Sequence, residues 1–531
     1  MEHFYDMLVV FLYFLIVFIA GIAVSRKYRG ESASDFLTGG KSLNWFQTGL
    51  TLIAMSIDTG IMGVAGVGFV WGMTIHPNAA NLWFTAPLAA MFLIPIYWRS
   101  GIVTTPELLE KRFNVASRAF FSVIMTIYMV IVMGTSIYLG SIIMVELFHW
   151  PLWVGASAIL LIVGVYVIMG GMKTILSINI YQSIFITITL IIVAAVTLHH
   201  AGGLSAFVRI KELNNAGQIL PSTLLKMDWS LNSKNWYPFP EGLAWAAMAG
   251  AAWIACNFGM AQRLLAAKNE KHAQKAILFT GAGHVFTLLL AYSIGVCIRV
   301  MIPELEKPDA SYMRAVISFF PPGLRGVIIA GLLASLLSTI DGLLSASSTL
   351  ITSDVFLRFI RPDANDKLTK QFARTVQVVV IVAAALLIPL AARSTIIIEF
   401  IQSMVADLFG VIIALFLVGI FSKRATPKAA FYSMVSGTIL AVALDVATDM
   451  NFAWVGVFSF SFSVIATLLL SYFEKPVPIG KLRNLTVFTL DDVRGPWVGQ
   501  KAWPNLWKWI VGIFVGWHLI ILAWEYLIRH I

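Results

Sequence analysis

The stretch LLASLLSTIDGLLSASSTLITSD, Leu332 to Asp354, decides the reading of this chain. It is apolar enough to lie in lipid, yet it strings hydroxyl side chains along its length and sets a carboxylate, Asp341, in its middle. Ser335, Ser338, Thr339, Gly342 and Ser345 follow i, i+3, i+4 spacing and so share one face of a helix. Hydroxyls on such a stripe can bond to neighbouring helices or to their own backbone, which would make the stripe structural. A carboxylate at bilayer depth fits that reading poorly, because it costs several kcal/mol unless paired or hydrated. The functional reading is a wall of oxygens for a hard cation.

The surrounding chain is built for a membrane. Its 531 residues are 59% hydrophobic and only 12% charged, with a mean hydropathy of +0.84, whereas soluble domains run near a quarter charged. A span needs about 20 apolar residues, and about fourteen stretches qualify: 5–25, 44–73, 81–98, 119–148, 152–170, 174–200, 241–262, 276–302, 324–356, 375–392, 397–421, 429–448, 452–472 and 509–528. The first carries Glu2 and Asp6 in its n-region, with no Lys or Arg there, and Arg26, Lys27 and Arg29 after it, the wrong charge order for a secretory signal. That order places the N-terminus outside. Alternating the remaining loops then collects most of the 37 Lys and Arg on the inner side, with both termini outside. The net charge of +10 is thus a signature of topology in an integral membrane protein, and no nucleic-acid motif competes with it. The compact loops suit a bacterial inner (plasma) membrane. Cys256 and Cys297 both fall in apolar spans and read as buried thiols rather than a disulfide or a metal pair. The outer loop 201–240 reads as a lid, and the inner loop 473–508, rich in Pro, Trp and Arg, as an interfacial segment.

Two spans are rich in small residues. The second carries Gly49, Gly60, Gly63, Gly66 and Gly68, and the seventh carries Gly250, Gly259 and an alanine run. Small residues let helices pack closely in lipid. They also permit a helix broken near the midplane, whose freed carbonyls and amides bind ions and solute. The two spans lie five apart, the spacing that two five-helix repeats would give.

Several motifs carry a family resemblance: WFQTGLTLIAMSIDTG in the second span, GIVTTPELLEKRFN after the third, and MGGMKTILSINIYQ entering the sixth. AQRLLAAKNEKHAQKA after the seventh, ASLLSTIDGLLSASSTLITSD in the ninth and LFLVGIFSKRATPKAA after the eleventh extend it. In that order and at those span ends, the chain resembles the sodium:solute symporter family, which includes the sodium/glucose and sodium/proline cotransporters. The resemblance implies an all-α LeuT-like fold of two inverted five-helix repeats plus flanking helices. Residues 1–43 would lead, 44–200 and 241–422 would form the repeats about the outer loop, and 423–531 would supply three further helices. It also implies a general sodium site made of carbonyls from Ala54, Ile57 and Ser335 with the hydroxyls of Ser338 and Thr339. A second sodium site, present in some members, uses an Asp in the sixth span and hydroxyls in the ninth. Here Asn179 stands at the first position, and Asp341 followed by Gly342 at the second. Asp341, Asn179 and Ser338 could form a rearranged cation site, Asp341 could carry a proton, or Asp341 and Asn179 could share a structural hydrogen bond.

The solute is less determined. Positions that contact sugar hydroxyls in sugar-carrying members are altered: Ile61 and Ala79 replace polar residues, Gly250 replaces an Asn and His284 a Lys. Gln402 is retained, and Trp253 keeps an aromatic gate able to stack on a sugar face. Asp58 projects from the broken segment, where it could meet a substrate amine, by analogy of fold alone. The expected function is therefore sodium-coupled symport of a small polar solute, a sugar, sugar derivative or polyol, by alternating access. An amine-bearing or cationic solute coupled to sodium or protons is the alternative, and a transport-like sensor a third. No nucleophile motif such as GxSxG or HExxH marks the chain as an enzyme, and no catalytic residue is assigned.

Overall fold

The computed structural model describes residues 2–28, 30–57, 60–72, 76–207, 241–392 and 397–491, with a few isolated positions beside them. Within these residues the chain is helical, and an isolated bridge joins Leu43 to Ala267. Asparagine sets many of the helix starts. Asn44 accepts the Gln47 amide at 2.9 Å while Gln47 accepts the Asn44 amide at 3.1 Å, a reciprocal cap on the Trp45–Ser56 helix. Asn114, Asn269 and Asn365 likewise accept amides in the first turns of the helices starting at Val115, Glu270 and Asp366. Each satisfies a backbone donor that the helix itself leaves unpaired.

Among the described residues ten helices are long and apolar enough to cross a membrane, or up to twelve when each of two bent pairs counts as one span. The bent pairs are the glycine- and alanine-rich spans singled out in the sequence. Trp45–Ser56 meets Ile61–Val70 at 53°, and Ala244–Ala255 meets Phe258–Leu265 at 52°. At the second break Asn257 starts the new helix, accepting the Gly259 amide at 3.0 Å.

Leu152–His200 hides a further reversal. Gly171 adopts φ 62°, ψ −171°, inside what is otherwise one run of helix. Tyr166 and Asn179 both bond to the Asp341 carboxylate, whereas about 20 Å of straight helix would separate them. The chain therefore turns back at Gly171, against the ring of Phe36, where a Cβ would stand 2.4 Å from the ring. The expected spans 152–170 and 174–200 are the two arms of this hairpin.

The polar stretch sits at the centre. Its helix, Leu324–Leu350, runs on through a wider π-helical segment, Ile351–Ile360, and 94% of its most apolar window is buried inside the protein. The first helix, Glu2–Lys27, lies at the periphery with 17% of its window buried. Its Asp6 still reaches inward, accepting the Gly323 and Gly326 amides at 2.7 and 2.9 Å at the start of the polar helix. A carboxylate there meets both unpaired amides and the positive end of the helix dipole.

Several boundaries differ from the sequence reading. The tenth span starts at Asp366 rather than 375, the eighth at Glu270 rather than 276, and the fourth at Val115 rather than 119. Charged residues end an apolar window, but they continue a helix readily once it leaves the lipid. Apart from isolated positions, the expected span 509–528 lies outside the described residues, as do 210–240 of the outer loop and 492–507 of the inner one. The described part of the inner loop forms two 3-10 turns, Ile479–Leu482 and Val487–Thr489.

Candidate functional site

The first break and the polar helix meet at Ile57 and Ser335. Trp45–Ser56 ends with Ile57 as its cap, so the carbonyls of its last turn, Ala54 among them, lose the amides of a following turn. Ser335 Oγ donates to the Ile57 carbonyl at 3.1 Å, across 278 positions of sequence. Thr339 Oγ1 donates to the Ser335 carbonyl at 3.3 Å. Ser338 Oγ is buried with no hydrogen-bond partner among the described residues. All five residues are almost wholly buried. Buried hydroxyls of Ser335, Ser338 and Thr339 on one helix, with the Ile57 carbonyl in reach of Ser335, are neutral oxygens of the kind that suits a hard cation such as sodium. Among the described residues no three His, Cys, Asp or Glu side chains gather to hold a different metal.

Asp341 takes a different set of partners. Tyr166 donates to its Oδ2 at 2.8 Å and Asn179 to its Oδ1 at 3.3 Å. Arg263 Nη2 lies 4.0 Å from Oδ1, and both side chains of this pair are fully buried. The sequence reading brought Asn179 to Asp341 and missed Tyr166 and Arg263. The signal for Arg263 was present in Gly342. A Cβ on Gly342 would stand 2.6 Å from Arg263 Nη2 and 2.9 Å from Nη1, so the glycine makes the room that the guanidinium fills. Arg263 Nη1 also donates to the Gly259 carbonyl at 3.1 Å and contacts Met55 Sδ at 3.0 Å. One guanidinium thus joins the polar helix to both broken spans.

On the solute side, Trp253 is half-buried with its indole Nε1 unpartnered among the described residues. His284 is buried; the Ser56 backbone faces it, yet neither ring nitrogen makes a hydrogen bond of good geometry. Such groups retain capacity for a polar solute. Gly250 has a packing explanation: a Cβ there would lie 2.4 Å from the Asn81 carbonyl, because the third span presses against the second break. Asp58 lies outside the described residues, and so does the side chain of Gln402. Cys256 and Cys297 are free and buried.

The far end of the opening stretch holds a charged cluster. Asp354 accepts hydrogen bonds from Thr104 and Ser122 at 2.8 Å and pairs with Arg118 at 2.5 Å. Glu110 pairs with Arg118 and Arg358, each at 2.6 Å. Burial alone would raise the Glu110 carboxyl, but hydrogen bonds from the two guanidiniums, with their charge, hold it below the ordinary carboxylate range.

The model of the sodium:solute symporter family matches residues 36–437. Sodium/glucose cotransporter 4 of Mus musculus is 26% identical, over 92% of this chain and 78% of its own. The sodium/glucose cotransporter of Vibrio parahaemolyticus is 27% identical, over 83% and 85% respectively. Among solved structures, a Na+-coupled sialic acid symporter in a substrate-bound, outward-open state superposes with a TM-score of 0.79 at 20% identity, covering 90% of this chain and 99% of that one. The nucleobase-cation-symport-1 family transporter Mhp1, closed around bromovinylhydantoin, gives 0.56 at 15% identity over 84% and 97%. These two likenesses establish the LeuT-like fold.

Proposed function

The chain belongs to the sodium:solute symporter family, and on that premise we propose that sodium enters at Ala54, Ile57, Ser335, Ser338 and Thr339 and draws a sugar-like solute with it. The observation that carries this reading is the bond from Ser335 to the Ile57 carbonyl at the broken helix, with the orphaned Ser338 hydroxyl one helical turn on from Ser335. A sodium ion there would accept lone pairs from Ser338 and Thr339 and from the freed carbonyls. Its charge would bind the polar helix to the first broken span, which is the link alternating access requires.

The solute would lie against Trp253, with the indole face on a ring and Nε1, His284, Gln402 and Asp58 available to hydroxyls. The names of the relatives, which carry glucose and sialic acid, support a sugar, a sugar derivative or a polyol. Asp341 serves in this reading as the counter-charge of Arg263, held by Tyr166 and Asn179, rather than as a ligand. Sodium coupling is then carried by one ion. Down about 100 mV that ion gains about 2.3 kcal/mol, and a tenfold gradient adds about 1.4 kcal/mol, enough for roughly 500-fold accumulation of a neutral solute. The inner membrane of a bacterium, with both termini outside, is the setting that the loop charges favour.

The test is uptake from a mixed pool of sugars, polyols and amino acids into proteoliposomes, read by mass spectrometry with and without an inward sodium gradient. A sugar or polyol that accumulates only with sodium supports the reading. Accumulation of an amine-bearing solute alone, or accumulation driven by protons and not by sodium, overturns it.

A further inference from the structure

Three span ends meet around a cavity of about 400 Å3, lined by Ser25, Arg26, Ile168, Met169 and Arg374. Ser25 and Arg26 end the first helix, Ile168 and Met169 precede the Gly171 turn, and Arg374 follows the start of the Asp366–Leu386 helix. All three ends lie where the chain leaves the lipid on the side that collects Lys and Arg. The cavity therefore sits at the level of the inner headgroups, away from the sodium site.

Among the described residues no carboxylate lies within 4.0 Å of Arg26 or Arg374, and the nearby Glu31 and Asp35 are held by Lys173. Arg374 is fixed in place: Nε donates to the Ile168 carbonyl at 3.0 Å, and the guanidinium lies 5.7 Å over the Phe36 ring. With Nε committed, its two terminal nitrogens form a preorganised fork of the kind that binds phosphate oxygens in pairs. Ser25 Oγ spends its proton on the Ile22 carbonyl at 2.9 Å, so it can only accept, as from a headgroup hydroxyl.

The walls leading into the bilayer are apolar and uncovered. Met169, which lines the cavity, is 45% exposed, and Val378, one turn from Arg374, is 48% exposed. Ile19, seven residues before Arg26 and on the same helical face, is 57% exposed. A free phosphate would use the arginines alone. A phospholipid would use the arginines and the apolar walls together.

We propose that this cavity is a binding site for one anionic phospholipid, its phosphate between Arg26 and Arg374 and its acyl chains along Met169, Val378 and Ile19. The lipid would tie the first helix to the hairpin and to the Asp366–Leu386 helix at the inner face.

The experiment is native mass spectrometry of the full chain, released from micelles containing phosphatidylglycerol and phosphatidylcholine in equal amounts. A parallel series of thermal melts adds inorganic phosphate or glycerol phosphate. The protein is expected to retain phosphatidylglycerol with about thirtyfold preference, the factor that two arginines near an anionic headgroup supply. The double variant Arg26→Gln/Arg374→Gln is expected to lose that preference, and Arg361→Gln, an exposed inner-face arginine outside the cavity, to keep it. Should the double variant fail to fold, Arg26→Gln alone removes a side chain with no hydrogen bond to lose among the described residues and is expected to reduce the preference about fivefold. Unchanged phosphatidylglycerol binding in the folded variants, or equal loss in Arg361→Gln, overturns the proposal. So does a melt raised as far by soluble phosphate as by the lipid.

Discussion

The guanidinium of Arg263 and the carboxylate of Asp341 lie 4.0 Å apart with both side chains fully buried, one beyond the second break and the other on the polar helix. Removing one partner of such a pair leaves a charge in low dielectric, at a cost of about 3–5 kcal/mol. Asp341→Asn preserves the shape and a carbonyl for Tyr166 but strands Arg263. Its melting temperature in detergent is expected to fall sharply, and Arg263→Met added to Asp341→Asn is expected to recover most of the loss. A single variant as stable as the parent would mean that another group balances Arg263.

Gly342 supplies a second check on the same pair. Glycine inside a helix ordinarily gains about 1 kcal/mol on replacement by alanine. Here the added methyl would meet Arg263 Nη2 at 2.6 Å, and overpacking of that kind costs about 1–3 kcal/mol. The clash is expected to win, so that Gly342→Ala melts below the parent. A higher melting temperature would show that the guanidinium shifts freely.

The broken spans and the buried hydroxyl face of the polar helix were legible from local pattern. Gly60 with its neighbours and the alanine run near Gly250 announced the breaks, and the hydroxyl spacing placed Ser335, Ser338 and Thr339 on one face. The partners of Asp341 were not legible. Tyr166 and Arg263 lie 175 and 78 positions away from it, and neither belongs to a periodic pattern. Gly342 carried the hint, as an absent side chain, but only the packed structure shows what fills the space. Gly250 reversed in the same way: its departure from the sugar-binding pattern reflects the Asn81 carbonyl pressing on it. Helix starts beyond the lipid were misplaced because hydropathy ends at Lys367 or Glu270 while the backbone hydrogen bonds do not.

The cluster of Glu110, Arg118 and Arg358 is expected to carry an acid sensitivity. Glu110 is held below its ordinary value of 4.5, so the stability it contributes is fully present above that pH. The contribution is lost as pH falls through the depressed value in the folded state. Thermal melts of the parent between pH 6 and about pH 3 are expected to decline more steeply than those of Glu110→Gln, which lacks the ionisable group. Parallel declines in both proteins would assign the acid response to other carboxylates.

Ser338 separates ion binding from folding better than any neighbour. Its hydroxyl is buried without a hydrogen-bond partner among the described residues, so Ser338→Ala forfeits no hydrogen bond to any of them. The melting temperature in sodium-free buffer is expected to stay at the parent value or rise slightly, since an unpaired polar group leaves the interior. Sodium half-saturation of uptake is expected to rise roughly tenfold or more, the usual worth of an oxygen–cation contact. Thr339→Ala breaks its bond to the Ser335 carbonyl as well, so both quantities are expected to move, the melt by about 1 kcal/mol. If Ser338→Ala leaves sodium half-saturation unchanged while Thr339→Ala alters only the melt, the hydroxyl face is a packing surface. The coupling ion would then have to bind elsewhere along the first broken span.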